Sequence, residues 1–378
     1  MRSRLTVTQP HSELCVAMTD LPAGQECPTR SLSELSVRIG QNPMLAQAAT
    51  GNTSEKIGGI LWIKASGKWL ADANRPNMFV PVRLEDVAGC LHGGEEIALE
   101  YEADSGEILR SSIETAMHAV IPHRVTIHVH SVNAIAMAIC RDGRQILASR
   151  LNGLQWQWIP YVSSGIPLAQ RIAAALSINP ALRVFVLANH GLVVCGNSCD
   201  EAESLLDEVE ERLFEPPRLA PPANRAALDN AAGGGWFPAE ADLVHTLGTD
   251  GATLEILRKG ILYPCQAVFL GNSAPVVDPC ICAVEAKADW HMRHGVAPRF
   301  LILEGAGVLI GPEMSRSETE ILRGLAQVLQ RVSPAAQLRY LSPAEIEGVM
   351  TNDARKYRRL VDSNAAPADP VGASTAIR

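Results

Sequence analysis

Two periods of hydrophobic and polar residues alternate along this chain. Residues 31–48, SLSELSVRIGQNPMLAQA, carry apolar side chains at helical spacing. They predict two short helices split at Asn42–Pro43, because proline lacks an amide proton and clashes with the preceding turn. GNTSEK reads as a turn and GILWIKASG as a buried strand. Residues 77–100 predict a strand and a short helical or turn region. SSIETAMHAVIP predicts a helix ending near Pro122, RVTIHVHS a strand, and VNAIAMAICR a helix. LAQRIAAALSIN is a further helix, and RVFVLANHGLVVCG is strand–turn–strand. SCDEAESLLDEVEERL is amphipathic, with Leu205, Leu206, Val209 and Leu213 as its apolar stripe and Ser198 and Glu201 as a capping box.

Beyond this helix the composition changes. Residues 215–235, EPPRLAPPANRAALDNAAGGG, are rich in Pro, Ala and Gly and read as a linker. Residues 236–362 form a second α/β block, residues 1–30 an irregular leader, and residues 363–378 a disordered tail. The second block echoes the first. FVLANHGLVVCGNSCDEAESLL (185–206) and FLILEGAGVLIGPEMSRSETEIL (300–322) both give strand, Gly-containing turn, strand, and a Ser-x-x-Glu helix start. Aligned from Phe185 and Phe300, His190 falls opposite Gly305, so the second copy lacks that imidazole. Units of this kind also look alike without common origin.

Length and composition narrow the class. A chain of 378 residues exceeds what one hydrophobic core usually covers, so two domains are expected. The net charge is −8, and no basic block interleaved with aromatics is present, which argues against nucleic acid as a partner. No apolar run approaches about 18 residues, so no membrane helix is expected. The N-terminus lacks a continuous apolar signal segment. The nine cysteines include no C-x-x-C pair, which fits reduced thiols in a cytoplasmic protein better than a secreted disulfide framework. Most are expected to pack as small hydrophobes.

The chemistry is concentrated in a few places. In TIHVHS, His128 and His130 stand two apart on a strand, so both imidazoles share one face. Catalytic zinc typically takes three protein ligands and keeps one position open. His190, at the turn in NHG, is the best third candidate, with Asn189 beside it. Glu114 is either the capping partner of Ser111 or a carboxylate serving as proton-transfer base beside a metal. His118, one turn later, is either packed or a supporting group. GNTS (51–54) and KASGK (64–68) join Gly to small polar side chains. With Lys64 and the serines Ser111 and Ser112, they can cradle an anion or can simply be turns.

Taken in order, these pieces resemble the class II aldolase/adducin family. GNTS, IKASG, S-x-E-x-x-x-H at Ser112–His118, H-x-H at 128–130 and NHG at 189–191 cover the family pattern over roughly residues 30–215. SIETAMHAVIPHRVTIHVHS is most similar to the rhamnulose-1-phosphate aldolase-type branch. LSPAEIEGVMTNDARKYRRL resembles the end of the aldolase part of long aldolase/dehydrogenase fusions. The resemblance implies a three-layer α/β/α domain at 31–214 with a mostly antiparallel sheet, followed by a degenerate copy-like α/β region. It implies a homo-oligomer, a tetramer in many members. It also implies zinc or another divalent metal on His128, His130 and His190, with Glu114 as catalytic acid/base. The phosphate pocket would map to Asn52, Ser66, Gly67, Ser111 and Ser112, to which charge and position add Lys64. Tyr161 is a candidate proton donor. The implied reaction is retro-aldol cleavage of a ketose phosphate such as rhamnulose-1-phosphate through a metal-stabilised enediolate. The partner is then a small sugar or sugar phosphate. An epimerase or dehydratase on the same fold, or an adducin-like binding module, are the alternatives.

Overall fold

The computed structural model describes residues 14–15, 28–93, 96–97, 99–103 and 105–352, so the expected tail and nearly all of the leader lie outside the described residues. Seven strands form the larger sheet: β1 (Asn52–Ile57), β2 (Ile60–Lys64), β3 (Phe79–Arg83), β4 (Val125–Val129), β5 (Trp156–Ile159), β6 (Val184–Leu187) and β7 (Gly191–Gly196). Their order is β3-β2-β1-β4-β7-β6-β5, and every neighbouring pair is antiparallel except β5 with β6.

The sheet is buried on both faces, which explains why its strands read as apolar runs rather than alternating ones. One face, with Val125, Ile127, Val129, Val184 and Val186, packs on α1 (Arg30–Gln41), α4 (Val132–Ala138) and α7 (Cys199–Leu213). The other face is covered by α2 (Leu84–Gly93), α3 (Thr115–Val120) and α6 (Ile166–Ile178), through residues such as Ile63, Val82, Phe185 and Val193. This is the expected three-layer α/β/α arrangement. Between β4 and β5 the chain adds α5 (Gly143–Arg150). The second of the two helices expected in 31–48 does not form. Residues 43–45 make a turn, closed by the Leu45 and Ala46 amides on the Asn42 carbonyl. Pro43 ends α1 rather than splitting two helices.

The segment read as a linker is not featureless. It contains α8 (Arg225–Ala231), started by Asn224, whose side chain accepts from the Ala227 amide, and seated by buried Leu228 and Ala231. The following block has a four-stranded sheet of β8 (Phe237–Pro238), β9 (Val276–Val277), β10 (Phe300–Leu303) and β11 (Gly307–Ile310). Its helices are α9 (Asp242–Thr249), α10 (Gly251–Lys259), α11 (Ala283–His294), α12 (Arg316–Gln330) and α13 (Pro343–Thr351).

This second sheet repeats the last four strands of the first. Its order is β8-β11-β10-β9, against β4-β7-β6-β5, and in each only the final pair is parallel. The correspondence reaches single hydrogen bonds. The amide of Asn189 (φ 53°) donates to the Ala138 carbonyl, and the amide of Gly305 (φ 72°) donates to the Gly248 carbonyl. Leu187 pairs with Gly191 as Leu303 pairs with Gly307. His190 therefore corresponds to Ala306, not to Gly305 as ungapped alignment gave. By the same register Pro238 and Glu240 stand where His128 and His130 stand in the first sheet.

The two blocks share a core. Val132, Ile135, Ala136 and Ile139 on and after α4 are buried with Leu254, Leu257, Ile321, Leu325 and Leu329 from the C-terminal block. The Arg339 amide donates to the Ile139 carbonyl and the Arg141 amide to the Gln337 carbonyl. Among the described residues no helix is long and apolar enough to cross a membrane.

Candidate metal centre

The site grows out of the register of β1, β4 and β7. On β4, Val125, Ile127 and Val129 point to the α1/α7 layer, so Thr126 and His128 point to the α3 layer. Asn52 of β1 lies directly across from His128, and Val193 of β7 lies on its other side. His130 follows the end of the strand. His190 is delivered by the tight β6–β7 turn, which Asn189 permits by taking a left-handed conformation that asparagine tolerates better than most residues. The three rings sit at the corners of a near-equilateral triangle, with centroids 5.2, 5.0 and 5.2 Å apart. Their ligand atoms lie within 4.8 Å of one another, and all three residues are buried.

Gly191 makes this convergence possible. A Cβ there would lie 2.5 Å from the Val129 carbonyl oxygen and 3.3 Å from His128 Cε1. Gly191→Ala is expected to lower the unfolding free energy by about 2 kcal/mol, as an overpacked buried position does, and to weaken metal binding. Urea unfolding with and without added zinc checks both.

Glu114 faces this triangle. Its Oε1 lies 3.3 Å from His128 Nε2 and 3.2 Å from His190 Nε2, and its Oε2 accepts from Asn52 Nδ2 at 2.5 Å. The capping-box reading of Ser111-x-x-Glu114 is not what forms. Glu114 itself takes the N-cap position of α3 and its side chain caps nothing. The Ser112 hydroxyl accepts from the Glu114 amide instead, which leaves the carboxylate to face the imidazoles. Burial pushes the Glu114 carboxyl up, but the two imidazoles outweigh it and hold the group well below the ordinary carboxylate range. The linkage sign is that of a depressed acid. This pairing stabilises the fold above the ordinary carboxylate range and is lost only as pH falls below it.

The donor set fits a divalent cation. His128 Nδ1 is 3.1 Å from the Leu192 carbonyl oxygen, which can only accept, so that nitrogen carries the proton. Nε2 is then the lone-pair atom, and it is buried without a hydrogen-bond partner while facing a carboxylate oxygen. A carboxylate oxygen facing such a lone pair calls for a proton or a metal cation between them. Three imidazoles with a carboxylate alongside match the ligand preference of zinc-type metals.

The remaining expected residues divide. His118 is fully buried and its Nδ1 is 2.7 Å from the Ser54 hydroxyl. Burial, then the nearby His128, lower it to about 3, so it is neutral at ordinary pH. The Ser66 amide donates to the Arg110 carbonyl, which brings Ser66 and Gly67 beside Ser111 and Ser112. The Ser111 hydroxyl accepts from the Leu99 amide. Lys64 is buried beneath this group, where its ammonium donates to the Ala49 and Lys68 carbonyls and so ties the two loops together. Tyr161 lies under the Arg339 guanidinium, 4.8 Å from Cζ to the ring centre. Asn189 donates from Nδ2 to the carbonyls of Leu262 and Arg339, both at 2.8 Å.

Sequence reading missed the C-terminal contribution. Cys265 Sγ stands 3.5 Å from His130 Nδ1, and Leu262 and Arg339 hold the residue beside His190. Cys265 sits in the apolar run ILYPCQAVFL, where nothing in composition distinguishes a supporting thiol from a core residue. Cys280 and Cys282, expected as buried hydrophobes, are exposed.

Residues 33–214 match the family model described as the Class II Aldolase and Adducin N-terminal domain. A relative in Bacillus subtilis strain 168, named the uncharacterized oxidoreductase YuxG, is 28% identical over 212 residues, which is 51% of this chain. The match spans only 30% of that relative's length. Similar solved structures include the N-terminal class II aldolase domain of a conserved protein from Thermoplasma acidophilum. It is 21% identical, covers 52% of this chain and 98% of its own, and has a TM-score of 0.41. L-fuculose-1-phosphate aldolase from Thermus thermophilus is 21% identical, covers 49% and 92%, and has a TM-score of 0.34.

Proposed function

We propose that the chain, whose residues 33–214 match the model of the Class II Aldolase and Adducin N-terminal domain, is a divalent-metal-dependent sugar or sugar-phosphate aldolase. The observation that carries this reading is Glu114 Oε1, held within 3.3 Å of two imidazole nitrogens and steadied from the other side by Asn52. A scaffold has no use for a buried carboxylate facing three converging imidazoles. An enzyme that moves a proton beside a Lewis acid does.

His128, His130 and His190 would hold the ion, zinc in our reading. Bound there, a divalent cation supplies Lewis-acid stabilisation of charge developing on substrate oxygens. The chain's own residues do the rest. In the synthetic direction the Glu114 carboxylate removes a proton from the carbon beside the substrate carbonyl, and in cleavage it returns that proton. Asn52 fixes which carboxylate oxygen is engaged. Tyr161 is assigned to the second proton, the one shared with the oxygen of the aldehyde fragment. Ser66, Gly67, Ser111 and Ser112 offer a small polar pocket for a phosphate, with Asn52 at its edge and Lys64 bracing it from below. The surrounding sheet and helices bury all three imidazoles and keep bulk water from the proton being moved.

The test is a panel of ketose 1-phosphates incubated with zinc-loaded protein. Cleavage of rhamnulose-1-phosphate or a stereoisomer to dihydroxyacetone phosphate and lactaldehyde supports the proposal. NMR showing an altered sugar with an intact carbon chain would replace it with epimerisation. A protein that binds no metal would remove it.

A further inference from the structure

The C-terminal block meets the metal centre at two of its three imidazoles. Cys265, buried on the segment after α10, places its sulfur 3.5 Å from His130 Nδ1. The same segment turns tightly, with the Leu262 amide donating to Gln266 Oε1, so that the Leu262 carbonyl points at Asn189 Nδ2. A second segment runs beside it, joined by the Leu341 amide on the Ile261 carbonyl, and presents the Arg339 carbonyl to the same amide nitrogen. The Arg339 guanidinium then reaches back to Asn189 Oδ1 at 3.3 Å. Both ends of the Asn189 side chain are thus held from the C-terminal block. That residue carries the left-handed backbone that presents His190.

Ligand imidazoles are oriented by the partner of their second nitrogen, and losing that partner commonly weakens metal binding by about 10- to 100-fold. We propose that Cys265 and the Leu262/Arg339 clamp on Asn189 are positioning groups for the metal centre, so that the block carrying no ligands of its own sets the geometry of two of them. This rests on the metal-dependent reading above. The degenerate copy thereby acquires a role. Pro238, Glu240 and Ala306 have replaced the imidazoles there, while its loops have become supports for the intact set. A thiol is a soft and weakly hydrogen-bonding neighbour. It orients His130 with less electrostatic pull than the carbonyl of Leu192 exerts on His128.

The experiment measures zinc affinity of the full chain by competition with a chromogenic chelator, together with the thermal midpoint with and without zinc. Cys265→Ala and Asn189→Gly, the latter keeping the left-handed backbone while deleting the clamp, should each raise the zinc dissociation constant about tenfold and shrink the zinc-induced thermal shift. Cys265→Ser should recover most of the affinity by restoring a hydrogen-bonding group. Wild-type affinity in both Cys265→Ala and Asn189→Gly overturns the inference. So does a thiolate charge-transfer band in the cobalt-substituted wild type that disappears in Cys265→Ser, since Cys265 would then be a ligand itself. If the wild type binds no zinc, the metal reading fails first and this inference with it.

Discussion

The His128→Ala protein is expected to purify with less than about a tenth of the wild-type metal content and to lose roughly 10³-fold or more in kcat/KM. A metal Lewis acid supplies several kcal/mol of charge stabilisation, and each 1.36 kcal/mol is a factor of ten. His128 is the most constrained of the three imidazoles. It lies within the β4 ladder, flanked by Asn52 and Val193, with its tautomer set by the Leu192 carbonyl. No neighbouring side chain can shift into its place without breaking the sheet register. The measurement pairs elemental analysis with thermal melting at graded zinc. Free zinc at 100 times its dissociation constant should stabilise the wild type by about 2.7 kcal/mol, and this gain should vanish in the variant. A variant that keeps stoichiometric zinc and the full thermal gain would show that the imidazole triangle is not the metal centre.

Glu114→Gln separates proton transfer from metal binding. The amide is nearly isosteric and keeps a hydrogen-bonding oxygen for Asn52, but it cannot take or return a proton. Turnover should fall by about 10² to 10⁴, while zinc remains bound. Retained zinc with lost turnover assigns Glu114 to the proton. Lost zinc with lost turnover assigns it to the ligand set. Unchanged turnover removes it from both. The wild-type rate should not fall off through His118, which burial holds near 3 and therefore neutral. Any acid limb should instead lie below the ordinary carboxylate range, where the depressed Glu114 takes up its proton, with activity rising as pH increases through it.

Much of this site was readable from residue spacing. H-x-H on a strand can place two rings on one face only one way, and a Gly after His190 marks a turn. The three-layer fold came from the family resemblance, and strands too apolar for a one-sided sheet agree with it. Other features depended on contacts between residues far apart in sequence. Ser111-x-x-Glu114 satisfies the local pattern of a capping box, yet Ser112 takes the Glu114 amide and the imidazoles take the carboxylate. Local spacing cannot tell which of two partners wins when one of them lies on another strand. The repeat was visible, but its register was off by one because the β10 strand begins one residue differently relative to its Phe. Only the Leu303–Gly307 pairing fixes it. Cys265 and Arg339 lie about 135 and 150 residues from the groups they touch, and no periodicity reports on such pairs.

The shared burial of α4 bears on the order in which the chain can mature. Val132, Ile135 and Ile139 are buried in a core built mostly of residues from 239 onward, and burying each contributes about 1.5–3 kcal/mol. During synthesis the half bearing the three imidazoles therefore leaves the ribosome with much of one helix face still wet and the Asn189 turn unclamped. Only after Arg339 has emerged can both be closed. The C-terminal half thus supplies cover that the half bearing the three imidazoles cannot supply for itself, and the imidazole triangle is expected to reach its final geometry only once a segment holding none of those imidazoles has been made.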